Sequence, residues 1–272
     1  MSLVEQDLLD VLDVAVRVAA EAADLARDLR AAAIQDVSTK STETDVVTSA
    51  DRASERLIRE RLAELRPGDP VLGEEEGGAG ASGPGEVCWV VDPIDGTVNY
   101  LYGYPWYAVS VAAQVDGASV AGAVVEPVSG RRWTAARGHG AALDGVPLRA
   151  AGTSRLDLAM VATGFGYRPE RRRRQAAGVA ALIGRIRDIR RSGSAALDLC
   201  AVAAGWVDGY FEHGLARWDW AAGALIAEEA GARVRVPGAN GDGSGADLLM
   251  AAAPGVADAL TEAMADCGLV EL

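Results

Sequence analysis

The segment Trp89-Val90-Val91-Asp92-Pro93-Ile94-Asp95-Gly96-Thr97-Val98-Asn99-Tyr100 carries the strongest signal in the sequence. Residues 87–91 form a short apolar run, which predicts a strand that is buried on both faces and ends at Asp92. A proline and a second carboxylate, Asp95, follow at a tight turn. Hard divalent cations prefer oxygen ligands, so the two carboxylates and the Ile94 carbonyl predict a cation site. A structural turn, in which the aspartates cap backbone amides, is the competing interpretation.

The next two residues, Gly96 and Thr97, predict a place for an anion. If Thr97 opens a helix, the amides of both residues have no partner inside that helix and carry partial positive charge. Such amides are a natural cradle for phosphate. The segment therefore predicts cation and phosphate chemistry at one turn.

The composition limits the class of protein. The chain has 272 residues, half of them apolar, which is enough to bury the core of one large or two small domains. No apolar run approaches the roughly 20 residues of a membrane span, and no basic region precedes an apolar stretch at the start. Three widely spaced cysteines suit reduced thiols better than disulfides. These features predict a soluble, cytoplasmic protein.

The charge is strongly acidic, with 39 acidic against 26 basic residues and a formal net charge of −13. This excess makes general binding to nucleic acid or to anionic membranes unfavourable. Lys40 is the only lysine, so every other basic residue is an arginine. One local exception to the acidity is the arginine cluster of Arg168 and 171–174, which a solvated helix start explains most simply.

Periodicity divides the chain into two parts. Helical spacing predicts an amphipathic helix over residues 3–33, and a capping box from Thr48 to Asp51 predicts the start of a second helix. Between Ala108 and Leu148, three turn pairs predict antiparallel hairpins: Asp116-Gly117, Ser129-Gly130 and Asp144-Gly145.

After about residue 150 the pattern changes to alternating helices and strands, ending in a helix opened by Pro254. The pattern predicts a layered α/β (α+β) protein with a soft boundary. The N-terminal part, 1–150, contains most of the candidate metal ligands, and the C-terminal part, 151–272, is expected to complete the site.

Three further acidic positions are ambiguous when each is considered alone. Glu74 begins a run of three glutamates in the glycine-rich stretch 73–85, which predicts a flexible surface loop. Asp219 resembles the N-cap residue of a helix, and Glu212 resembles an exposed acid at a turn. Their combination with the segment around Asp92 is more informative than any one of them.

Considered together, five motifs resemble those of the inositol monophosphatase family, within the wider group of metal-dependent, lithium-sensitive phosphatases. They lie in family order between residues 40 and 231, and the third and fifth motifs, which contain Asp92 and Asp219, are highly specific. The motifs are Asp45-Val46-Val47-Thr48-Ser49-Ala50-Asp51, Gly73-Glu74-Glu75, Asp92-Pro93-Ile94-Asp95-Gly96-Thr97, Gly193-Ser194-Ala195-Ala196 and Trp218-Asp219-Trp220-Ala221-Ala222-Gly223. The resemblance implies a five-layer α-β-α-β-α sandwich of the inositol monophosphatase and fructose-1,6-bisphosphatase type, and usually a homodimer.

The resemblance also implies a set of metal ligands. Glu74, Asp92 and the Ile94 carbonyl correspond to ligands of a first Mg²⁺, and Asp92, Asp95 and Asp219 to ligands of a second. Glu74 would also serve a weaker third ion through water. Mn²⁺ is the expected substitute and Li⁺ the expected inhibitor.

The same resemblance implies catalytic and substrate-binding roles. Thr97 and Asp51 correspond to the pair that orients and activates the nucleophilic water, and Lys40 corresponds to a lysine on a mobile loop beside the metals. The expected substrate-binding residues are Asp95, Gly96, Thr97, Gly193, Ser194, Ala195, Glu212 and Asp219.

These roles predict a phosphoric monoester hydrolase in which a metal-activated water attacks the phosphate directly. Glu212 favours myo-inositol 1-phosphate as substrate, because a carboxylate there resembles those that hydrogen-bond an inositol hydroxyl. Histidinol phosphate, fructose 1,6-bisphosphate and 3′-phosphoadenosine phosphates are the alternatives. A different class also stays open, since some bacterial relatives act as scaffold partners of the transcription machinery and the arginine cluster offers a surface for one.

Overall fold

The structure is a computed structural model that describes residues 5–33, 37–39, 46–78, 83–238 and 247–271. Two helices form its first layer, α1 (Glu5–Ala33) and α2 (Ser49–Leu65). Alanines and valines at helical spacing on α1 pack against one face of a large sheet. Before α2, the short strands β1 (Val37–Thr39) and β2 (Val46–Thr48) pair antiparallel.

The predicted capping box opens α2. The Thr48 hydroxyl accepts from the Ala50 amide at 3.2 Å, and the Asp51 carboxylate accepts from the Thr48 amide at 2.9 Å. Two otherwise unpaired backbone amides at the start of the helix are thereby satisfied. The cap also fixes the Asp51 carboxylate at the N-terminal end of α2.

The second layer is a seven-stranded sheet in the order β3-β4-β5-β6-β7-β8-β9. Only the β3–β4 pair within it is parallel, and each of the three predicted turn pairs lies between antiparallel strands. The strands are β3 (Val71–Gly73), β4 (Val87–Asp95), β5 (Ala108–Val115), β6 (Ala118–Val125), β7 (Arg132–Ala136), β8 (Ala141–Leu143) and β9 (Val146–Pro147). All nine residues of β4 are buried, as expected for a strand covered on both faces.

The strand β4 does not end at Asp92 as predicted. It pairs with β5 through Asp92 and Ser110, and again through Asp95 and Ala108, so three steps along β4 oppose two along β5. Pro93 has no amide hydrogen to donate, which favours an irregularity at this point. The bulge leaves Asp95 within the sheet, and the short helix α3 (Thr97–Tyr102) follows it.

The third layer consists of α5 (Ala195–Ala203) and α6 (Arg217–Glu229), which contact both sheets. Every residue of α5 is buried. Small residues bring the elements close together: a Cβ added to Gly122 of β6 would lie 3.0 Å from Ala222 Cα, and one on Gly223 would lie 2.9 Å from Leu199 Cβ. The helix α6 therefore lies close to both β6 and α5.

A five-stranded sheet and an outer helical layer complete the sandwich. The sheet order is β11-β10-β12-β14-β13, with β10 parallel to β11 and β12, and β14 antiparallel to β12 and β13. The outer helices pack through an apolar cluster that includes Leu182 and Leu260. The elements are β10 (Met160–Thr163), α4 (Pro169–Leu182), β11 (Asp188–Arg190), β12 (Gly209–His213), β13 (Arg233–Arg235), β14 (Leu248–Ala252) and α7 (Ala257–Asp266).

The five layers confirm the expected α-β-α-β-α architecture. The last helix does not open at Pro254 as predicted: α7 begins at Ala257, and Pro254 lies in a turn before it. The helix α4 ends at Leu182 and continues only as a short 3₁₀ turn. The chain passes from the first sheet to the second between Pro147 and Met160, while the division into parts 1–150 and 151–272 stays a prediction. None of the helices in the described ranges is both long and apolar enough to cross a membrane.

Candidate active site

Three carboxylates meet at the end of β4. Asp92 and Asp95 come from that strand and Asp219 from the first turn of α6, and one oxygen of each lies within 4.8 Å of the others. We refer to these three residues as the carboxylate cluster. Among the described residues, it is the one group of three or more His, Cys, Asp or Glu side chains that converges closely enough to hold a metal ion.

The backbone around β4 fixes the first two carboxylates. Asp92 Oδ1 accepts from the Ile94 amide at 3.0 Å, and Asp95 Oδ2 accepts from the Ser194 hydroxyl at 2.6 Å and the Ala196 amide at 2.7 Å. The two interpretations of this turn are therefore compatible, because the aspartates cap backbone amides and also converge. Asp95 links the first sheet to α5.

Asp219 is not the N-cap residue that the sequence predicts. The helix α6 begins at Arg217 with Ala216 as its N-cap, and the Asp219 carboxylate accepts from the Ala216 amide at 2.6 Å. An acid at the third helical position satisfies the same free amide as a cap does, from within the helix. This position carries the side chain to the cluster.

The cluster is electrostatically strained without a cation. Burial, followed by the charges of neighbouring acids, raises the pKa of Asp92 and of Asp219 well above the usual carboxyl range. Burial raises the pKa of Asp95 to about 7, although the hydrogen bonds from Ser194 and Ala196 oppose the shift. Buried carboxylates with raised pKa values and only oxygen donors fit a hard divalent cation, which would offset their repulsion.

Thr97 and Asp51 form a hydrogen-bonded pair beside the cluster. The Thr97 hydroxyl lies 3.1 Å from Asp51 Oδ1 and 3.1 Å from the Ile94 carbonyl oxygen. Asp51 is fully buried, and its Oδ2 accepts from the Thr48 hydroxyl at 2.6 Å. Burial raises the pKa of Asp51, and the hydrogen bonds from Thr48 oppose that shift. The pair can accept and hold a proton at a fixed place.

Glu74 lies on the turn after β3 and lines the same cavity, outside the converging trio. The turn, residues 74–77, is held by the fully buried Glu55 of α2, whose carboxylate accepts from the amides of Glu75 at 2.7 Å and Glu76 at 3.0 Å. We refer to residues 74–77 as the Glu74 turn. The predicted flexible loop is therefore anchored at this end, and residues 79–82 lie outside the described ranges.

Arg59 completes the anchor of the Glu74 turn. Its guanidinium pairs with Glu55 at 2.8 Å and donates to the Gly77 carbonyl at 2.5 Å. A Cβ added to Gly73 would lie 2.2 Å from Glu55 Oε1, so only glycine fits where β3 meets the turn. The sequence analysis missed Glu55. Its signal is an acid at helical spacing with the buried Ile58 and Leu62, on the core side of α2.

The segment before α5 forms another wall of the cavity. Gly193 and Ala195 line it, whereas Ser194 is buried behind them and holds Asp95. Gly193 has a φ of +97°, and a Cβ there would lie 2.6 Å from an Arg191 nitrogen. The Asn99 amide, which the sequence analysis did not single out, donates to the Ser192 carbonyl at 2.9 Å and ties α3 to this wall.

Glu212 lies on β12 and faces the cavity, not the exposed turn of the simplest expectation. Its Oε2 accepts from the Tyr210 hydroxyl at 2.8 Å. Burial raises the pKa of Glu212, while that hydrogen bond and the charge of Arg191 oppose the shift. The next residue, His213, is buried, and its burial lowers its pKa to about 4, so the imidazole is neutral at pH 7.

The cavity has a volume of about 1150 Å³ and brings together most of the predicted residues. Asp51 and Ser194 lie behind its wall, and Lys40 lies outside the described residues. Several arginines of the cluster at the start of α4 also line it. The expected site residues in its lining are Glu74, Asp92, Ile94, Asp95, Gly96, Thr97, Gly193, Ala195, Glu212 and Asp219.

Known proteins resemble this chain along most of its length. The inositol-1-monophosphatase of Mycobacterium leprae is 56% identical over 244 residues, which are 87% of this chain and 84% of that protein. The Pseudomonas aeruginosa protein named Nus factor SuhB is 40% identical over 82% of this chain and 84% of its own. Among solved structures, Mycobacterium tuberculosis SuhB matches with a TM-score of 0.82 at 46% identity, over 96% of this chain and 98% of that one.

A sequence model of the inositol monophosphatase family matches residues 7–268, nearly the whole chain. The match agrees with the resemblance inferred from the five motifs and with the layered fold. The chain belongs to the inositol monophosphatase family and is a phosphoric monoester hydrolase.

Proposed function

We propose that the protein is a Mg²⁺-dependent phosphomonoesterase that hydrolyses myo-inositol 1-phosphate by direct attack of water. The observation that carries the proposal is the convergence of Asp92, Asp95 and Asp219 beside the hydrogen-bonded pair of Thr97 and Asp51. A scaffold that lacked catalytic activity would gain nothing from burying mutually repelling acids next to a proton acceptor.

The residues that would hold two or three Mg²⁺ ions are the carboxylate cluster, the Ile94 carbonyl and Glu74. Their donors are all oxygens, which suits Mg²⁺ and its substitute Mn²⁺. When bound, the ions would activate water and stabilise charge on the phosphate oxygens during in-line displacement. The ligands come from three elements, so the folded sandwich is what assembles the site.

Thr97 and Asp51 provide the route for a proton. A hydroxyl has one hydrogen, so Thr97 donates either to Asp51 or to the Ile94 carbonyl. When it donates to Asp51, its own oxygen is oriented to accept a proton from a water molecule in the cavity. Burial raises the pKa of Asp51 and so makes this carboxylate a better acceptor for the proton passed on.

The alcohol and phosphate parts of the substrate meet different walls. The amides of Gly96 and Thr97, at the start of α3, would bind the phosphate. Glu212 would accept a hydrogen bond from a hydroxyl of the polyol, with Gly193 and Ala195 forming the surface beside it. A ring rich in hydroxyl groups therefore fits this cavity wall.

Phosphate release from a panel of substrates tests the proposal. The panel is myo-inositol 1-phosphate, histidinol phosphate, fructose 1,6-bisphosphate and 3′-phosphoadenosine 5′-phosphate, each measured with Mg²⁺, with EDTA and with added Li⁺. We expect the highest kcat/KM for myo-inositol 1-phosphate and loss of turnover in EDTA. Turnover that persists in EDTA contradicts the metal dependence. A higher kcat/KM for another substrate of the panel contradicts the assignment of myo-inositol 1-phosphate.

Lys40 is tested separately because it lies outside the described residues. It is the only lysine, and its ammonium group is compact, whereas the guanidinium group of an arginine is larger and planar. We propose that it acts beside the metals, so Lys40→Arg is expected to lower kcat or to change the Mg²⁺ dependence. An unchanged Mg²⁺ titration and kcat would remove Lys40 from the site.

A scaffold role is the second candidate, because a relative 40% identical to this chain is named Nus factor SuhB. Its test is a pull-down with purified RNA polymerase, comparing the native chain with one in which 171–174 are changed to alanine. Capture that depends on these arginines supports a scaffold. Three of the four arginines line the cavity instead of pointing away from it, which favours a small ligand for them.

Assembly and compartment are also proposals. We infer a homodimer in the cytoplasm, from the family resemblance and from the composition. Light scattering on the purified protein is expected to give twice the chain mass of 28.1 kDa. A monomer mass at micromolar concentration contradicts this.

A further inference from the structure

Ser110 of β5 is a buried polar residue to which the proposed hydrolysis gives no role. Its side chain is fully buried, and its hydroxyl makes no hydrogen bond with any part of the chain that the structure describes. The residues two positions away on the same strand, Ala108 and Ala112, are fully buried and apolar. Because a buried hydroxyl without a partner is destabilising, alanine would suit this position better if packing alone decided it.

The register of the first sheet places Ser110 beside a member of the carboxylate cluster. Ser110 pairs directly with Asp92 of β4, and the two strands are antiparallel. Side chains of directly opposed residues project from the same face of a sheet, with their Cβ atoms about 4.5–5.5 Å apart. A rotation of either side chain about its Cα–Cβ bond is therefore enough to bring the Ser110 hydroxyl to a carboxylate oxygen of Asp92.

The same face of the sheet is covered by α6. Ala112, two residues after Ser110, pairs with Gly122 of β6, and a Cβ added to Gly122 would lie 3.0 Å from Ala222 Cα of α6. Asp219 lies three residues before Ala222 on that helix. Ser110 therefore faces the helix that supplies Asp219 and lies next to the strand that supplies Asp92.

The Asp92 carboxylate has the capacity for a further hydrogen-bond donor. Its Oδ1 accepts from the Ile94 amide at 3.0 Å, and a carboxylate can accept about four hydrogen bonds. Carboxylates that bind metal ions are held in orientation by such donors. We propose that Ser110 is a positioning residue that donates a hydrogen bond to the Asp92 carboxylate when the cluster holds its cation. This inference rests on the proposed metal-dependent function and adds a residue to its site.

Ser119 of β6 provides a matched control, because it is a buried serine that also faces α6. Its hydroxyl donates to the Ala221 carbonyl at 2.8 Å and accepts from the Gln114 side chain at 3.0 Å. It pairs with Gln114, four residues along β5 from Ser110, which corresponds to about 13 Å of strand. The change of serine to alanine thus removes a bonded hydroxyl away from Asp92 in one variant and an unbonded hydroxyl beside Asp92 in the other.

The test compares Ser110→Ala with Ser119→Ala in two measurements that need no turnover. Thermal melting in EDTA reports the contribution of each hydroxyl to the metal-free fold, and electron paramagnetic resonance reports Mn²⁺ affinity. For Ser110→Ala we expect a Tm in EDTA no lower than that of the native protein, because the lost hydroxyl has no partner there, and an Mn²⁺ affinity roughly tenfold lower. For Ser119→Ala we expect a Tm lower by a few degrees and an unchanged Mn²⁺ affinity.

Two outcomes overturn the inference. Ser110→Ala could bind Mn²⁺ as tightly as the native protein, or its Tm in EDTA could fall as far as that of Ser119→Ala, which would assign Ser110 to the packing of α6. The failure of the proposed function is recognised separately. If the native protein binds no Mn²⁺, the metal site fails and the role of Ser110 fails with it. If the native protein binds Mn²⁺ but hydrolyses no phosphomonoester of the panel, the proposed activity fails while the comparison of the two serines still decides the role of Ser110.

Discussion

The strand β4 and the Glu74 turn deliver carboxylates to one cavity by different means. Asp92 and Asp95 are part of a strand in which every residue is buried between two helical layers, and backbone pairing with β5 fixes them. Glu74 lies on a turn whose position depends on the side chain of Glu55. The sheet therefore fixes the positions of Asp92 and Asp95, whereas the position of Glu74 depends on one buried carboxylate, that of Glu55. Substitutions in the two regions should therefore have different signatures.

The largest effect is expected from Asp92→Asn, which removes a central ligand of the proposed metal site and leaves the β4 backbone in place. Loss of several kcal/mol of charge stabilisation corresponds to a fall in kcat of at least roughly 10³-fold. Because the native carboxylate is buried among other acids, the variant should melt in EDTA no lower than the native protein. Near-native turnover would show that the β4 region does not hold the metal.

Thr97→Ala tests the proton route next to β4. The hydroxyl contacts Asp51, so its removal should lower kcat by roughly 10²- to 10⁴-fold with little change in KM. Thr97→Ser keeps the hydroxyl and is the matched control, with an expected kcat near the native value. A raised KM at native kcat in Thr97→Ala would assign Thr97 to binding alone.

Glu55→Gln tests the Glu74 turn. Glutamine retains the size of the side chain but loses the charge that holds two amides and Arg59, so the apparent affinity for Mg²⁺ should fall roughly tenfold. We expect kcat at saturating Mg²⁺ to change much less. Mn²⁺ binding measured by electron paramagnetic resonance should show the same loss without any turnover.

The matched control for this variant is Glu60→Gln, the same change on the exposed face of α2. It should leave metal affinity unchanged. If both variants lower the affinity equally, or if neither does, the turn is not positioned by Glu55. In that case the Glu74 turn, like β4, would be positioned by the fold and not by a single side chain.

The smallest effect concerns pH. The folded state raises the pKa of Asp95 from an ordinary 3.8 to about 7, so between these values the metal-free folded protein holds a proton that the unfolded chain releases. Its contribution to stability is complete below pH 3.8 and is lost as the pH rises through 7. In EDTA the Tm should decline by a few degrees from pH 5 to 7.5, and saturating Mg²⁺ should remove the decline. A Tm that rises over this range in EDTA would contradict the assignment.

The segment around Asp92 could be predicted because its chemistry is local. A buried strand, a proline and a Gly-Thr pair specify a turn within a dozen residues, and the Thr48 capping box is equally local. The hairpins follow from turn pairs in the same way. These features needed no knowledge of distant contacts.

Other features could not be predicted because they depend on distant contacts. The extension of β4 to Asp95 depends on its pairing with Ala108. The position of Asp219 depends on where α6 begins, and an acid at the third helical position is easily mistaken in the sequence for an N-cap residue. The family resemblance supplied the five layers and the ligand set, whereas periodicity alone indicated only a layered protein. Glu55 was missed because helical spacing indicates only that it faces the core, whereas its partners lie about twenty residues away in the sequence.

The close packing of α6 has a consequence for variants outside the cavity lining. Asp219 arrives on α6 and Asp92 on β4, so the separation of these elements sets the distance between their carboxylates. Gly122 lets α6 approach β6, which lies in the same sheet as β4, and Gly223 lets α6 approach α5, because a methyl group at these positions would meet Ala222 at 3.0 Å and Leu199 at 2.9 Å, respectively. A side chain at either glycine, neither of which lines the cavity, would therefore displace α6 and change the spacing between the carboxylates of Asp219 and Asp92.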